Sequence, residues 1–64
     1  MTLTSVDAYA VIEDGAKAYF LSKDDAEAMS RRLGEHAEVI PCVLWRDDAE
    51  RYYRARMEMV LVTT

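Results

Sequence analysis

Asp47-Asp48-Ala49-Glu50-Arg51-Tyr52-Tyr53-Arg54-Ala55-Arg56-Met57-Glu58-Met59-Val60-Leu61-Val62 is the stretch on which the fold turns, because it satisfies two periodicities at once. Ala49, Tyr52, Tyr53, Met57, Val60 and Leu61 follow the spacing of one helical face, and Glu50 with Arg54 makes a favourable i, i+4 pair. Asp47-Asp48-Ala49-Glu50 has the composition of a helix start. Yet Tyr53, Ala55, Met57, Met59 and Leu61 also alternate with Arg54, Arg56 and Glu58, as a strand would. The decision between them rests on what comes before.

Upstream, Val6-Asp7-Ala8-Tyr9-Ala10-Val11-Ile12 mixes β-branched and aromatic residues without a breaker and reads as a strand. Asp14-Gly15 is a hairpin signal, because glycine accepts positive φ, and Lys17-Ala18-Tyr19-Phe20-Leu21 returns as the second strand. Ser22-Lys23-Asp24-Asp25 sets a hydroxyl three residues ahead of an acid, in the manner of a capping box. Ala26, Met29 and Leu33 share one helical stripe and Gly34 stands where a helix ends, so the spacing predicts a helix over 23–33. Glu38-Val39-Ile40-Pro41-Cys42-Val43-Leu44-Trp45 reads as a third strand, at an edge around Pro41, which has no N–H to donate.

These strands are apolar on both sides. Val39, Val43 and Trp45 alternate with Ile40, Cys42 and Leu44, and Ala8, Ala10 and Ile12 alternate with Tyr9 and Val11. A sheet of that kind needs two covers. Helix 23–33 is one, and either the C-terminal segment or a second subunit is the other. Pro41 also resists a further strand beside the third. The expectation is an α+β fold: a ββαβ core with a small antiparallel sheet in the order 3-1-2 and a C-terminal helix. The alternative is ββαββ, with residues 49–62 as a fourth strand.

The chain has 64 residues, enough for a single domain over 1–64 whose core is marginal. Small scaffolds of this size usually add a disulfide, a metal or a partner. Cys42 is the only cysteine and His36 the only histidine, so neither a disulfide nor a four-ligand zinc set is expected, and no cofactor. Self-association, as a homodimer, is the remaining support. No export signal or membrane span is expected, and the reading is a protein of the host cell cytosol.

Twelve acids against eight cations give a net charge of −4, which speaks against direct nucleic-acid binding. No nucleophile–base arrangement is legible. His36 reads as a loop residue, Cys42 as a small hydrophobe inside a strand, and the two glycines as a turn and a cap. An enzyme is not expected, nor a small-molecule substrate. Arg51, Arg54 and Arg56, interleaved with Tyr52 and Tyr53, read as a solvated helix face rather than a nucleic-acid surface.

The carboxylates say more. The expected topology brings the start of strand 1, the start of the helix and the end of strand 3 to one end of the molecule. That end collects Asp7, Asp24, Asp25, Glu27, Asp47, Asp48 and Glu50. Acids at helix starts also serve the helix dipole. Concentrated on so small a domain, they make a field that steers a basic protein surface toward it. Trp45, Tyr52, Tyr53, Met57 and Met59 are of the types enriched in interface cores.

The run Ala18-Tyr19-Phe20-Leu21-Ser22-Lys23-Asp24-Asp25-Ala26-Glu27-Ala28, continuing through Arg31-Arg32-Leu33-Gly34 to a strand, resembles short acidic phage and mobile-element proteins of the anti-CRISPR type. The likeness covers about residues 8–45 and includes no diagnostic motif, so no residue role carries over. It implies a stoichiometric inhibitor of a nucleic-acid-handling complex, its acidic surface imitating a phosphate backbone. The alternative is a self-associating structural or regulatory accessory protein.

Overall fold

The computed structural model describes residues 2–55 and 58–63. Two long strands dominate, β1 (Thr4–Glu13) and β3 (Glu38–Arg46), paired antiparallel along nearly their whole length from Thr4–Arg46 to Ile12–Glu38. On its other side β1 pairs with β2 (Ala16–Phe20), and the two meet in a tight turn at Asp14 and Gly15. Both turn residues have positive φ, 49° and 81°, the backbone that lets a two-residue turn follow the twist of its strands. Helix α1 (Lys23–Leu33) starts at Ser22, whose hydroxyl accepts the Asp25 N–H, and ends at Gly34, whose φ of 115° favours a residue without a Cβ.

The described residues of the C-terminal segment form strands in place of the expected C-terminal helix. β4 (Tyr52–Ala55) pairs antiparallel with the end of β3, through Trp45–Tyr53 and Arg46–Tyr52. β5 (Glu58–Val60) pairs back on β4. β6 (Val62–Thr63) lies parallel to β2, with Val62 beside Tyr19. The chain is therefore mostly β, one six-stranded mixed sheet in the order β5-β4-β3-β1-β2-β6 with a single short helix, which corrects the α+β expectation, both as the small ββαβ arrangement in order 3-1-2 and as the ββαββ alternative with one added strand. Arg56 and Met57, which the helical reading used, lie outside the described residues.

β5 and β6 occupy opposite edges of the sheet, yet only Leu61 separates them. One residue lets two strand ends stand no more than about 7 Å apart. The two edges are thus joined by one extended run, whose first half bonds to β4 and second half to β2, and the sheet closes into a small barrel. The register agrees. A path from Thr4 through Arg46, Tyr52 and Val60, resumed at Val62 and Tyr19, returns to β1 at Ala10. Such a stagger is what closing a sheet requires.

Closure answers the two-cover problem. One face of the strands turns inward, where Ala8, Ala10, Tyr19 and Leu44 are buried together with Tyr52, Val60 and Val62 packed against them. The other face turns outward, and α1 covers part of it by packing Ala26 and Met29 on Val11, Phe20, Tyr9 and Val39. The second cover is the chain's own last strands. Pro41 is accommodated because the β4 ladder reaches only Trp45 and Arg46, leaving the flank of β3 at residue 41 unpaired by β4. Among the described residues no helix is long and apolar enough to cross a membrane.

Candidate protein-binding surface

The turn between β3 and β4 decides which of the seven acids face solvent. Asp47 is buried, at 4% exposure. Its Oδ1 accepts the backbone N–H groups of Ala49 and Arg51, both at 2.9 Å. Its Oδ2 accepts Arg51 Nε at 3.0 Å and the Tyr53 hydroxyl at 2.9 Å. The Arg51 N–H, burial acting against it, and the Tyr53 and Ala49 donors leave the Asp47 carboxyl below its ordinary pKa. Asp47-Asp48-Ala49-Glu50 is therefore a side-chain-closed turn. The same acceptor chemistry would cap a helix, but the chain reverses at Glu50, where φ is 60°.

The remaining acids divide into paired and unpaired. Glu50 accepts Arg46 at 3.0 Å, and Glu27 lies 3.9 Å from Lys23. Asp7, Asp24, Asp25 and Asp48 are exposed, with no salt-bridge partner among the described residues. Asp7 stands beside Val43 on the outward face of the barrel, three positions from the end of the β1–β3 ladder. Asp24 and Asp25 form the first turn of α1. Asp48 sits at the tip of the β3–β4 turn.

Strand alternation separates charge by face. Ser5, Asp7, Tyr9, Val11 and Glu13 of β1 and Val39, Pro41, Val43 and Trp45 of β3 share the outward side, which holds acids and no cation. Arg46 and Lys17 fall on the inward-facing register at the two ends of the barrel. Arg54 joins Lys17 around Cys42 at the lower mouth, a recess of about 160 Å³. Burial raises the Cys42 thiol above its ordinary pKa, and the Arg54 charge pulls it partly back. Among the described residues the strand cations Lys17, Arg46 and Arg54 thus share the inward register, whereas Arg51, just before β4, is bound to Asp47 beside the outward-facing Tyr53.

No protein family, curated protein or solved structure matches this chain. Any functional reading therefore rests on its own residues.

Of the interface-type residues noted in the sequence, Trp45, Tyr53 and Met59 line up across the outward face as successive ladder partners. Tyr52 turns inward to the barrel core, and Met57 lies outside the described residues. Val43 and Leu61, which entered the sequence analysis only as members of apolar alternations, are 48% and 88% exposed. A signal for Leu61 was present: the apolar alternation Tyr53, Met59, Leu61 belongs to the outside of the strand, while Tyr52, Val60 and Val62 fill the inside.

Proposed function

We propose that this chain is a non-catalytic protein-binding module, a stoichiometric inhibitor of a nucleic-acid-handling complex of the anti-CRISPR kind. It acts by covering a basic surface that otherwise holds phosphates. The observation that carries the reading is the segregation of charge. Asp7, Asp24, Asp25 and Asp48 are exposed on the outer wall and adjoining end with no salt-bridge partner among the described residues, while the described strand cations Lys17, Arg46 and Arg54 lie on the other register. Clustered carboxylates speed encounter with a cationic groove and compete there with a nucleic-acid backbone.

The test is inhibition of target cleavage by purified CRISPR effector complexes, titrated against this protein. Inhibition should saturate near equal moles, weaken as salt rises, and be lost when Asp7, Asp24, Asp25 and Asp48 are all changed to Asn. Asp47 must stay, because its removal would damage the turn rather than the surface. Undiminished inhibition by the Asn variant would sink the acidic-surface reading, and no inhibition of any effector would sink the inhibitor reading.

A further inference from the structure

The chain exposes more surface than its mass calls for. A compact monomer of 7.3 kDa exposes about 4,200 Å². This one exposes 4772 Å², an excess of about 600 Å² over that expectation. Its radius of gyration, 11.9 Å, likewise exceeds the about 10.7 Å of a compact domain of 64 residues. The apolar part of the excess is concentrated in one place. Six large apolar side chains are exposed among the described residues, and four of them, Val43, Trp45, Met59 and Leu61, share the outward face of β3, β4 and the closing run. Trp45, Tyr53 and Met59 are successive ladder partners there, with Val43 two residues from Trp45 and Leu61 two residues from Met59. If two copies each hide their excess, the pair buries about 1,200 Å², the low end for a specific interface.

Charge on this face is balanced rather than of one sign. Asp7 flanks it at the Val43 end, exposed and with no salt-bridge partner among the described residues. Arg51 flanks it at the opposite end, two residues before Tyr53 and lining one cleft with Met59 and Leu61. The Arg51 side chain is 57% exposed, and its bond to Asp47 uses Nε, which leaves the fork of the guanidinium for a second carboxylate. A partner of one charge sign would set like charges together at Asp7 or at Arg51. A twofold axis through the middle of the strip does the reverse, because it exchanges the two ends. The apolar strip then meets itself, and Asp7 of each copy meets Arg51 of the other. We propose that this face is the isologous interface of a homodimer, with Trp45 and Tyr53 beside the axis. Asp24 and Asp25 lie on α1, off this face, and the inference does not depend on the inhibitor reading.

Sedimentation equilibrium of the protein alone, from low micromolar to millimolar concentration, tests the dimer. The mass should rise from 7.3 kDa toward twice that value. The emission of Trp45, the sole tryptophan, should shift to the blue over the same range. A Met59→Ser, Leu61→Ser double variant should unfold at the wild-type temperature in dilute solution, where both proteins are monomers, and should stay monomeric at millimolar concentration. Asp7→Lys sets like charges together at Arg51 and should weaken association at least about tenfold. Asp24→Asn, off the face, should leave association as it is. A wild-type mass that stays at the monomer value up to millimolar concentration overturns the dimer. In that case, loss of effector inhibition in the double variant would give the face to the effector instead. Association that survives the double variant, or that Asp7→Lys leaves at wild-type strength, overturns the twofold face. If the dimer forms as described while no effector is inhibited, the inhibitor reading fails and the interface stands.

Discussion

The Tyr53 hydroxyl donates to the Asp47 carboxylate across 2.9 Å, tying the start of β4 to the residue that follows β3. Six residues separate the two in sequence, and the bond closes a turn whose backbone N–H groups at Ala49 and Arg51 are held by the same carboxylate. One side chain thus organises the reversal that sends the C-terminal segment back along the barrel.

That pairing predicts a pH signature at both ends of the scale. The folded-state pKa of Asp47 is depressed, so its contribution is present above the unfolded value of about 3.9 and is lost as pH falls through the folded value. Tyr53 is shifted upward, its hydrogen bond to Asp47 being the largest cause. Its contribution is present below the unfolded value of about 10 and is lost as pH rises through the folded one. Asp47→Asn should lower the thermal midpoint at neutral pH and flatten its decline in acid. Spectrophotometric titration should find a tyrosine ionising above the usual range in the wild type and at a lower pH in Asp47→Asn. An unchanged alkaline titration would contradict the hydrogen bond.

Neighbouring residues in the closing strand should respond oppositely to the same change. Leu61 points out and Val62 packs on the barrel core. Leu61→Asp should alter stability by no more than about 0.5 kcal/mol, as exposed substitutions do. Val62→Asp forces a carboxylate toward an apolar interior and should cost about 1–3 kcal/mol or unfold the chain. Urea denaturation of the two variants measures the contrast. Equal effects would mean that the segment does not close the sheet as a strand.

Leu44 is fully buried, at 0% exposure, in the middle of the barrel cluster. Leu44→Ala should cost about 2–5 kcal/mol from lost transfer energy and the cavity left behind. Domains have only about 5–15 kcal/mol in hand, so this variant should be largely unfolded at modest urea. Circular dichroism during the titration decides it. A midpoint close to that of the wild type would place Leu44 outside the core.

Cys42 should be a slow nucleophile. Burial raises its pKa and Arg54 lowers it, so thiolate is scarce at neutral pH and scarcer without the arginine. Native protein should react with iodoacetamide several-fold more slowly than the urea-unfolded chain, and Arg54→Ala should be slower still. Faster labelling in Arg54→Ala at unchanged stability would show that the arginine shields the thiol instead of activating it.

Parts of this architecture were legible because their causes are local. Ser22 and Gly34 mark the two ends of α1 through a side-chain acceptor and a positive φ, which any window of a dozen residues contains. Asp14-Gly15 signals the β1–β2 reversal for the same reason. The acids at 24, 25 and 48 were legible as exposed charge. That Asp47 would turn inward was not, since a helix cap and a closed turn ask for the same residue and differ only in where Arg51 and Tyr53 end up.

By itself, then, the sequence determined the helix, the first hairpin, the excess of carboxylates and the existence of two apolar strand faces. The tertiary structure alone decided the fate of residues 52–55 and 58–63. Helical and strand periods fit that segment about equally, so local preference could not separate them. The difference comes from partners far away in the chain: Val62 beside Tyr19, and Tyr52 and Val60 against the cluster of Ala8, Ala10, Tyr19 and Leu44. Closing the barrel satisfies the backbone of two sheet edges and buries the inner apolar face in one step, which a C-terminal helix laid across an open sheet would not do. The same closure turns Met59 and Leu61 outward on the face that carries Trp45, an arrangement the strand alternation allowed but did not choose over the helical one.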